Sequence, residues 1–392
     1  MTATHALEAG GTLDAALLET MAIPVDVVTG TPLWRVFYGW LASGECLLGI
    51  SIQHAIADGV AVLEVNRTLV ELFTAAEGRP SSSPPSSEVV ALLSPPVLHP
   101  PIEALITVAP SSLALVGVAY RELLLPRLPS LLRTILPSPP LKWAGALPAV
   151  APHPRAKRHR TLAVGPERLT DLLALCRKHD VSLTSFLHAA IARSLRPETA
   201  GRPFESETNV NARRLFTAEQ AATVPSGTGT SVGVVYATSP ATAPTGTDAA
   251  AALWAEARAH FATMRRPAAF ADSVKVWGML AYVPDKPAPN GWDDFFAAKL
   301  VAPKSAAFEL SNLGSTTFSC PTTRSVGAAA GQSGWLLSRA VFSQPPQPTS
   351  PVCLFSVLSC ETGMEIAVGW EAGVAEVDRV LDRLEDVLEM VE

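Results

Sequence analysis

The chain has 392 residues, of which 48% are hydrophobic and 17% are charged, and its formal net charge is −6. This length is sufficient for a large core shared by two subdomains of comparable size. The acidic balance leaves no broad basic surface to displace counterions, which argues against a nucleic acid as partner. A mean hydropathy of +0.25 is high and favours an apolar tunnel or a membrane-facing surface.

The cysteines and the N-terminus bear on the compartment. Five cysteines are scattered along the chain without a C-x-x-C pair, which predicts a reduced, intracellular environment. Residues 1–25 lack a basic stretch followed by an apolar one, so they do not resemble a secretion signal. No H-E-x-x-H pattern or Cys/His array indicates a metal site. We therefore expect a cytoplasmic protein without a metal.

Apolar periodicity predicts the elements of the first half. A short helix is expected over residues 12–21, strands over 34–40 and 46–53, and an amphipathic helix over 59–77. Residues 79–101 are rich in Pro and Ser, which predicts a flexible linker.

The segment 104–136 is apolar, but prolines and arginines interrupt it too often for a membrane span. We expect an inserted helix or a lid over a tunnel. An interfacial helix at a lipid surface is the other interpretation.

The second half alternates strand and helix patterns. Strands are expected over residues 160–164, 232–236, 274–283 and 306–311, helices over 166–179 and 183–193, a hairpin over 354–370, and a final helix over 377–391. The basic cluster 155–160 is expected to be a solvated linker. Together the elements predict an α+β fold of two subdomains, residues 1–150 and 151–392, with mixed sheets and the active site at their interface.

Residues 53–59 (QHAIADG) are the most informative stretch, because they follow a predicted strand and open a predicted helix. Histidine as a residue type titrates in the range that a general base requires, so His54 is the candidate base. Asp58 suits the N-cap of the helix, where its carboxylate would accept a backbone N–H. Gly59 lacks Cβ and so permits a sharp strand-to-helix transition.

This pattern resembles the HxxxDG motif of the coenzyme-A-dependent acyltransferases of the chloramphenicol-acetyltransferase-like superfamily. Three more segments are similar to elements of this family: PLWR at 32–35, VNAR at 210–213 and SNLG at 311–314. The last of them is similar to an element of its alcohol acetyltransferase and wax-ester-synthase branches. The resemblance implies that Arg213 pairs with Asp58 to hold the motif loop. It also implies that Ser311 and Asn312 face the oxyanion or orient the acyl group. On local sequence alone, VNARR equally suits a solvated loop and SNLG an ordinary turn.

The resemblance implies an alcohol O-acetyltransferase that uses acyl-CoA, for example acetyl-CoA, as co-substrate and a small-molecule alcohol as acceptor. A monomer would suffice, because the site would lie within one chain. Contact with an intracellular membrane or lipid droplet and contact of residues 155–160 with coenzyme A phosphates are further options. Family members carry more chain before PLWR, so the N-terminus is expected to be shortened.

Three alternatives stay open at this point. A condensation-type enzyme of the same superfamily would take the acyl group from a carrier protein. A catalytically inactive homologue would bind a ligand without turnover. A lipid-surface protein would act through residues 104–136. Two glycine-rich stretches, residues 227–233 and 331–334, match neither a phosphate cradle nor a nucleophile elbow.

Overall fold

A computed structural model describes most of the chain. The described residues are 4–6, 11–23, 30–76, 100–124, 127–129, 132, 141–146, 155–224, 229–242, 248–285, 291–317 and 337–391. Of the predicted linker over 79–101, only residues 100 and 101 are among them. Within this part of the chain, nine strands form one sheet of three strands and one of six.

The small sheet belongs to the N-terminal lobe. It consists of β1 (Thr4–Ala6), β2 (Trp34–Trp40) and β3 (Cys46–Ile52), with β1 parallel and β3 antiparallel to β2. Helix α1 (Leu13–Ala22) packs on it through Ala16 and Phe37, and helix α2 (Gly59–Ala76) follows β3. The sequence predicted all of these elements except β1.

The large sheet forms the C-terminal lobe. Its strands are β4 (Lys157–Val164), β5 (Phe204–Asn211), β6 (Val232–Ser239), β7 (Phe308–Ser315), β8 (Cys353–Cys360) and β9 (Gly363–Glu371). Their order is β4-β9-β8-β7-β5-β6. Strand β7 runs parallel to both of its neighbours and the other pairs are antiparallel. The sheet is therefore mixed, and the predicted α+β class is confirmed.

The remaining helices connect or cover the strands. They are α3 (Ile102–Leu105), α4 (Ser112–Val118), α5 (Pro166–Lys178), α6 (Leu183–Leu195), α7 (Ala218–Thr223), α8 (Ala249–Arg265), α9 (Pro267–Ser273), α10 (Lys275–Leu280), α11 (Trp292–Val301) and α12 (Val377–Met390). A π-helical turn (Ala119–Leu124) and two 3₁₀ turns (Arg196–Thr199 and Ala212–Leu215) complete the set. In the part of the chain that is described, no helix has both the length and the apolar character needed to cross a bilayer.

The two faces of the large sheet differ in chemistry. Because side chains alternate along a strand, one face carries the apolar residues that pack against α5, α6, α8 and α12. Phe186, Phe204, Phe308 and Phe355 are fully buried in this core, and each stabilises the fold by roughly 2–3 kcal/mol. The opposite face is polar and carries Glu309. It meets the N-terminal lobe, where Thr161 on β4 donates a 2.7 Å hydrogen bond to Asp14 on α1.

One predicted strand is wrong. Residues 274–283, expected to be extended, contain helix α10 and its flanking turns. Val274 and Gly278 are the buried positions here, and they lie four residues apart. That spacing places both on one side of a helix, whereas the β-branched and aromatic composition had favoured a strand.

The prediction of a solvated linker over residues 155–160 is also wrong from residue 157 onward, because these residues form a strand. Strand β4 begins at Lys157 and pairs with β9 along its whole length. Arg160 donates hydrogen bonds to Asp382 at 2.7 Å and Glu385 at 2.5 Å on α12. Pairing with a complete neighbouring strand thus extends β4 beyond its apolar residues.

The described part of residues 104–136 packs on the C-terminal lobe. Gln220 on α7 donates a hydrogen bond to the carbonyl of Leu105 at 2.5 Å. The carbonyl of Val108 lies so close to Gly278 that a Cβ there would approach it to 2.1 Å. Leu113 on α4 is 83% exposed.

Candidate active site

A cavity of about 1350 Å³ lies between the polar face of the large sheet and the N-terminal lobe. The six site residues predicted from the sequence, His54, Asp58, Gly59, Arg213, Ser311 and Asn312, all line it. They come from the turn after β3, the 3₁₀ turn after β5, and β7. The topology thus brings together three segments that are far apart in sequence.

Asp58 has both of the roles considered from the sequence. Its Oδ1 accepts the backbone N–H of Ala61 at 3.0 Å, which caps helix α2. Its Oδ2 accepts a 2.6 Å hydrogen bond from Nη1 of Arg213 and a 2.8 Å hydrogen bond from the backbone of Ser231. The Asp58 side chain is 1% exposed. A buried carboxylate with this many donors has a structural role, since none of its oxygens is left for a substrate.

Arg213, the partner of Asp58, makes further hydrogen bonds to the backbone. Its Nη2 donates to the carbonyl of Gly229 at 3.0 Å, and the carbonyl of Gly229 also accepts the backbone N–H of Asp58 at 3.3 Å. Asn211 accepts the backbone N–H of Arg213 at 3.1 Å through its side chain. A guanidinium that contacts a carboxylate and a carbonyl at once holds two chain segments in one geometry.

His54 lies in the turn that Asp58 and Arg213 hold in place. Its carbonyl accepts a hydrogen bond from Oγ1 of Thr230 at 2.7 Å, while its side chain is exposed and lines the cavity. The backbone of the turn is therefore held from the C-terminal lobe and the imidazole is accessible to a ligand. This arrangement places an accessible imidazole on a fixed turn at the edge of the cavity.

Gly59 contributes to the packing of α2. It occupies the first position of α2 and does not have a left-handed backbone. A Cβ at this position would approach Cδ2 of Leu313 on β7 to 2.7 Å. The glycine therefore allows α2 and β7 to pack closely, rather than relieving a strained turn.

Ser311 and Asn312 lie inside strand β7, not in the polar turn that the sequence suggested. The Asn312 amide is occupied, because its Nδ2 donates to Oγ1 of Thr184 at 3.1 Å and its Oδ1 accepts the N–H of Gly314 at 2.8 Å. Ser311 is 7% exposed and contributes to the cavity wall. Of the two, Ser311 is the better placed to donate to a ligand.

Sequence reasoning missed Glu309, which precedes Ser311 on the same face of β7. Its Oε1 accepts hydrogen bonds from Nδ2 of Asn209 at 2.7 Å and Nε2 of Gln344 at 3.1 Å. The pKa of Glu309 is raised, because the effect of burial outweighs the hydrogen bonds from those two amides and the nearby charge of His54. A charged residue between Phe308 and Leu310 in an apolar strand was the available signal, since such a residue must face a cavity or solvent.

Two histidines behind the sheet contact no cavity atom. His188 stacks on His260 with ring centroids 3.8 Å apart. Its Nε2 lies 2.7 Å from Oγ of Ser206, and His260 lies 3.2 Å from Oγ1 of Thr208. Burial lowers the pKa of both rings, that of His260 to about 4. Both belong to the core.

The described residues contain no group of three or more His, Cys, Asp or Glu side chains that could hold a metal ion.

Comparisons with known proteins agree with this architecture. No protein-family model and no curated protein matches the chain, but solved structures match nearly all of it. The epimerization domain from the third module of tyrocidine synthetase B is 14% identical with a TM-score of 0.52, over 98% of this chain and 78% of that one.

Two further structures show the same relationship. SgcC5 from Streptomyces globisporus is 15% identical with a TM-score of 0.52, over 98% of this chain and 80% of that one. The condensation domain from Monacolin K polyketide synthase MokA is 14% identical with a TM-score of 0.50, over 99% and 78%. These similarities show the fold. It is the two-lobed α+β fold that these three structures share.

Proposed function

We propose that the chain is a condensation-type acyltransferase that moves an acyl group from a carrier-protein thioester to a hydroxyl group. The observation that carries the proposal is the accessible imidazole of His54 on a turn held by Asp58 and Arg213, at the edge of a cavity between two lobes. Fold similarity to condensation and epimerization domains of peptide and polyketide synthases supports the choice of this class.

The chemistry assigns one step to each group. His54 removes the proton of the acceptor hydroxyl as its oxygen attacks the thioester carbonyl carbon. The carbonyl oxygen of the tetrahedral intermediate carries a negative charge, which the hydroxyl of Ser311 stabilises. The carbon–sulfur bond then breaks, and the thiolate takes the proton from the imidazolium of His54. The ester and the free thiol leave, and no covalent acyl-enzyme is needed.

A second candidate is the acyl-CoA-dependent alcohol acetyltransferase. The similarity of SNLG at 311–314 to an element of the alcohol acetyltransferases favours it. Coenzyme A and carrier proteins both present the acyl group on a phosphopantetheine thioester, so the same cavity and the same base would serve. The two candidates differ in whether a protein must dock at the mouth of the cavity.

A donor comparison distinguishes them. The chain would be mixed with an acetylated carrier protein or acetyl-CoA and with aryl diols and medium-chain alcohols, and the ester measured by mass spectrometry. SgcC5 was solved with a naphthyl ethanediol bound, which makes an aryl diol a sensible first acceptor. We expect ester from the carrier-protein donor at a rate at least tenfold above that from acetyl-CoA. The reverse preference would establish the second candidate.

Two variants test the base. His54→Ala is expected to lose nearly all turnover with an unchanged melting temperature. His179→Ala is the control, because that ring stacks on Trp254 at 4.0 Å on the helix-covered side of the sheet and should leave turnover unchanged. An active His54→Ala protein would contradict the mechanism. A cooperatively folded chain without transfer from either donor would instead favour a non-catalytic homologue.

A further inference from the structure

Glu309 and its neighbour Glu207 on β5 differ from three other carboxylates on the polar face of the large sheet, because neither forms an ion pair with a described residue. Glu205 pairs with Lys142, Glu365 with Arg339 and Glu371 with Lys304, each at 2.9 Å. Glu309 instead has two neutral amide donors, from Asn209 and Gln344, and both contact the same oxygen, Oε1. Among the described residues, its Oε2 has no hydrogen-bond partner.

No lysine or arginine among the described residues forms an ion pair with this carboxylate, and the charge that lowers its pKa is that of His54. Amide donors orient the group without neutralising it, and a carboxylate that is partly removed from water is stabilised most by a cation. Glu309 lines the same cavity as His54. A ligand in the cavity therefore has access both to the base and to the unpaired oxygen.

We infer that Glu309 binds a cationic group, such as a primary ammonium, carried by the acceptor next to the hydroxyl that reacts. The inference rests on the proposed function and adds to it the class of acceptor, an amino alcohol. In this arrangement the ammonium donates to Oε2 of Glu309 while the hydroxyl faces His54. The amides of Asn209 and Gln344 hold the carboxylate in place through Oε1.

A matched pair of ligands tests the inference by binding alone. 2-Amino-1-phenylethanol and 1-phenyl-1,2-ethanediol differ by an ammonium in place of one hydroxyl. Calorimetry on the full chain should show at least tenfold tighter binding of the amino alcohol, because a hydrogen bond between two charged groups is stronger than one from a neutral hydroxyl. In Glu309→Gln this preference should disappear, while the affinity for the diol stays within about twofold.

A second carboxylate in the cavity provides the control. Glu45 also lines the cavity, but its oxygens accept hydrogen bonds from Ser43 and Ser338, both at 2.7 Å. Glu45→Gln should keep the preference for the amino alcohol. Melting curves of both variants establish that they are folded.

The possible outcomes separate this inference from the proposed function. Equal affinity of the wild type for the two ligands, binding of neither, or a preference that survives in Glu309→Gln would overturn the inference. Ester formation from the diol without any preference would leave the proposed function standing alone. A preference that Glu309→Gln abolishes, in a chain that transfers no acyl group, would support the binding site and contradict the reaction.

Discussion

Arg213 and Asp58 lie 155 residues apart in sequence and are joined by a 2.6 Å hydrogen bond between Nη1 and Oδ2. The pair connects the N-terminal lobe, which carries His54, to the C-terminal lobe, which carries much of the cavity wall. Their side chains are 9% and 1% exposed. The position of His54 therefore depends on an ion pair that water hardly reaches.

Asp58→Asn should lower the free energy of unfolding by about 3–5 kcal/mol, because it leaves the Arg213 guanidinium buried without its counter-charge. Urea denaturation would measure the change. Asp382→Asn is the matched control, since it removes a carboxylate that is 63% exposed from its pair with Arg160 and should cost less than about 1 kcal/mol. Equal losses in the two variants would contradict a special role for the buried pair.

Two glycines on helices are expected to respond differently to an added Cβ. In Gly59→Ala the new methyl meets the end of the Leu313 side chain at 2.7 Å, which can move aside. In Gly278→Ala it meets the carbonyl of Val108 at 2.1 Å, which is backbone. We expect melting curves to show a loss below about 1 kcal/mol for the first and about 1–3 kcal/mol for the second.

The order of these two effects is the critical result. A larger loss for Gly59→Ala would mean that the start of α2 is more rigidly packed against β7 than the contact with one flexible side chain suggests.

The sequence predicts those parts of the fold and the site whose pattern is contained within one short segment. Helix α2, the β8–β9 hairpin and helix α12 follow from local periodicity and turn residues, and the structure contains them. The Asp58–Arg213 pair has no local signal, and it was expected only because VNAR at 210–213 resembles an element of a known family. Glu309 and its amide partners are brought together by tertiary packing, which a single sequence does not show.

Glu207 lies opposite Glu309 in the register of β5 and β7, and burial raises its pKa to about 7. The folded chain thus binds this proton more tightly than the unfolded chain, whose carboxyl titrates near 4.5. The free energy of unfolding must therefore fall as the pH rises from about 4.5 to about 7. Glu207→Gln removes this loss and should be more stable than the wild type at pH 8, by about 1–3 kcal/mol.

Urea denaturation of Glu207→Gln and the wild type at pH 5 and pH 8 measures the effect. The difference in free energy of unfolding between the variant and the wild type should grow with pH. Glu361→Gln removes an exposed carboxyl and is expected to leave the pH dependence as it is. A constant difference for Glu207→Gln would show that its carboxyl is ionised in the folded chain throughout this range.

The stacked pair of His188 and His260 predicts the opposite slope. Because the folded-state pKa of both is lowered, the unfolded chain takes up protons first as the pH falls below about 6.5. The free energy of unfolding should decrease from that pH down to about 4, by about 1.4 kcal/mol per pH unit for each ring. His260→Gln, which keeps an amide near Thr208 and Ser185, should weaken this decrease between pH 7 and pH 5. If urea denaturation shows the same pH dependence of the free energy of unfolding in His260→Gln as in the wild type, His260 is not the source of that dependence.

Ser311 and Asn312 are adjacent on β7, but replacing them with alanine should have different effects on activity and stability. Ser311→Ala removes the hydroxyl proposed to stabilise the oxyanion, so kcat should fall about 100-fold or more with little change in KM and in melting temperature. Asn312→Ala removes the hydrogen bonds to Thr184 and Gly314, so the melting temperature should fall first. Kinetics and melting curves of both variants, with the donor that proves active, make the comparison. If Ser311→Ala retains full kcat while Asn312→Ala loses it without unfolding, the oxyanion donor is the amide and not the hydroxyl.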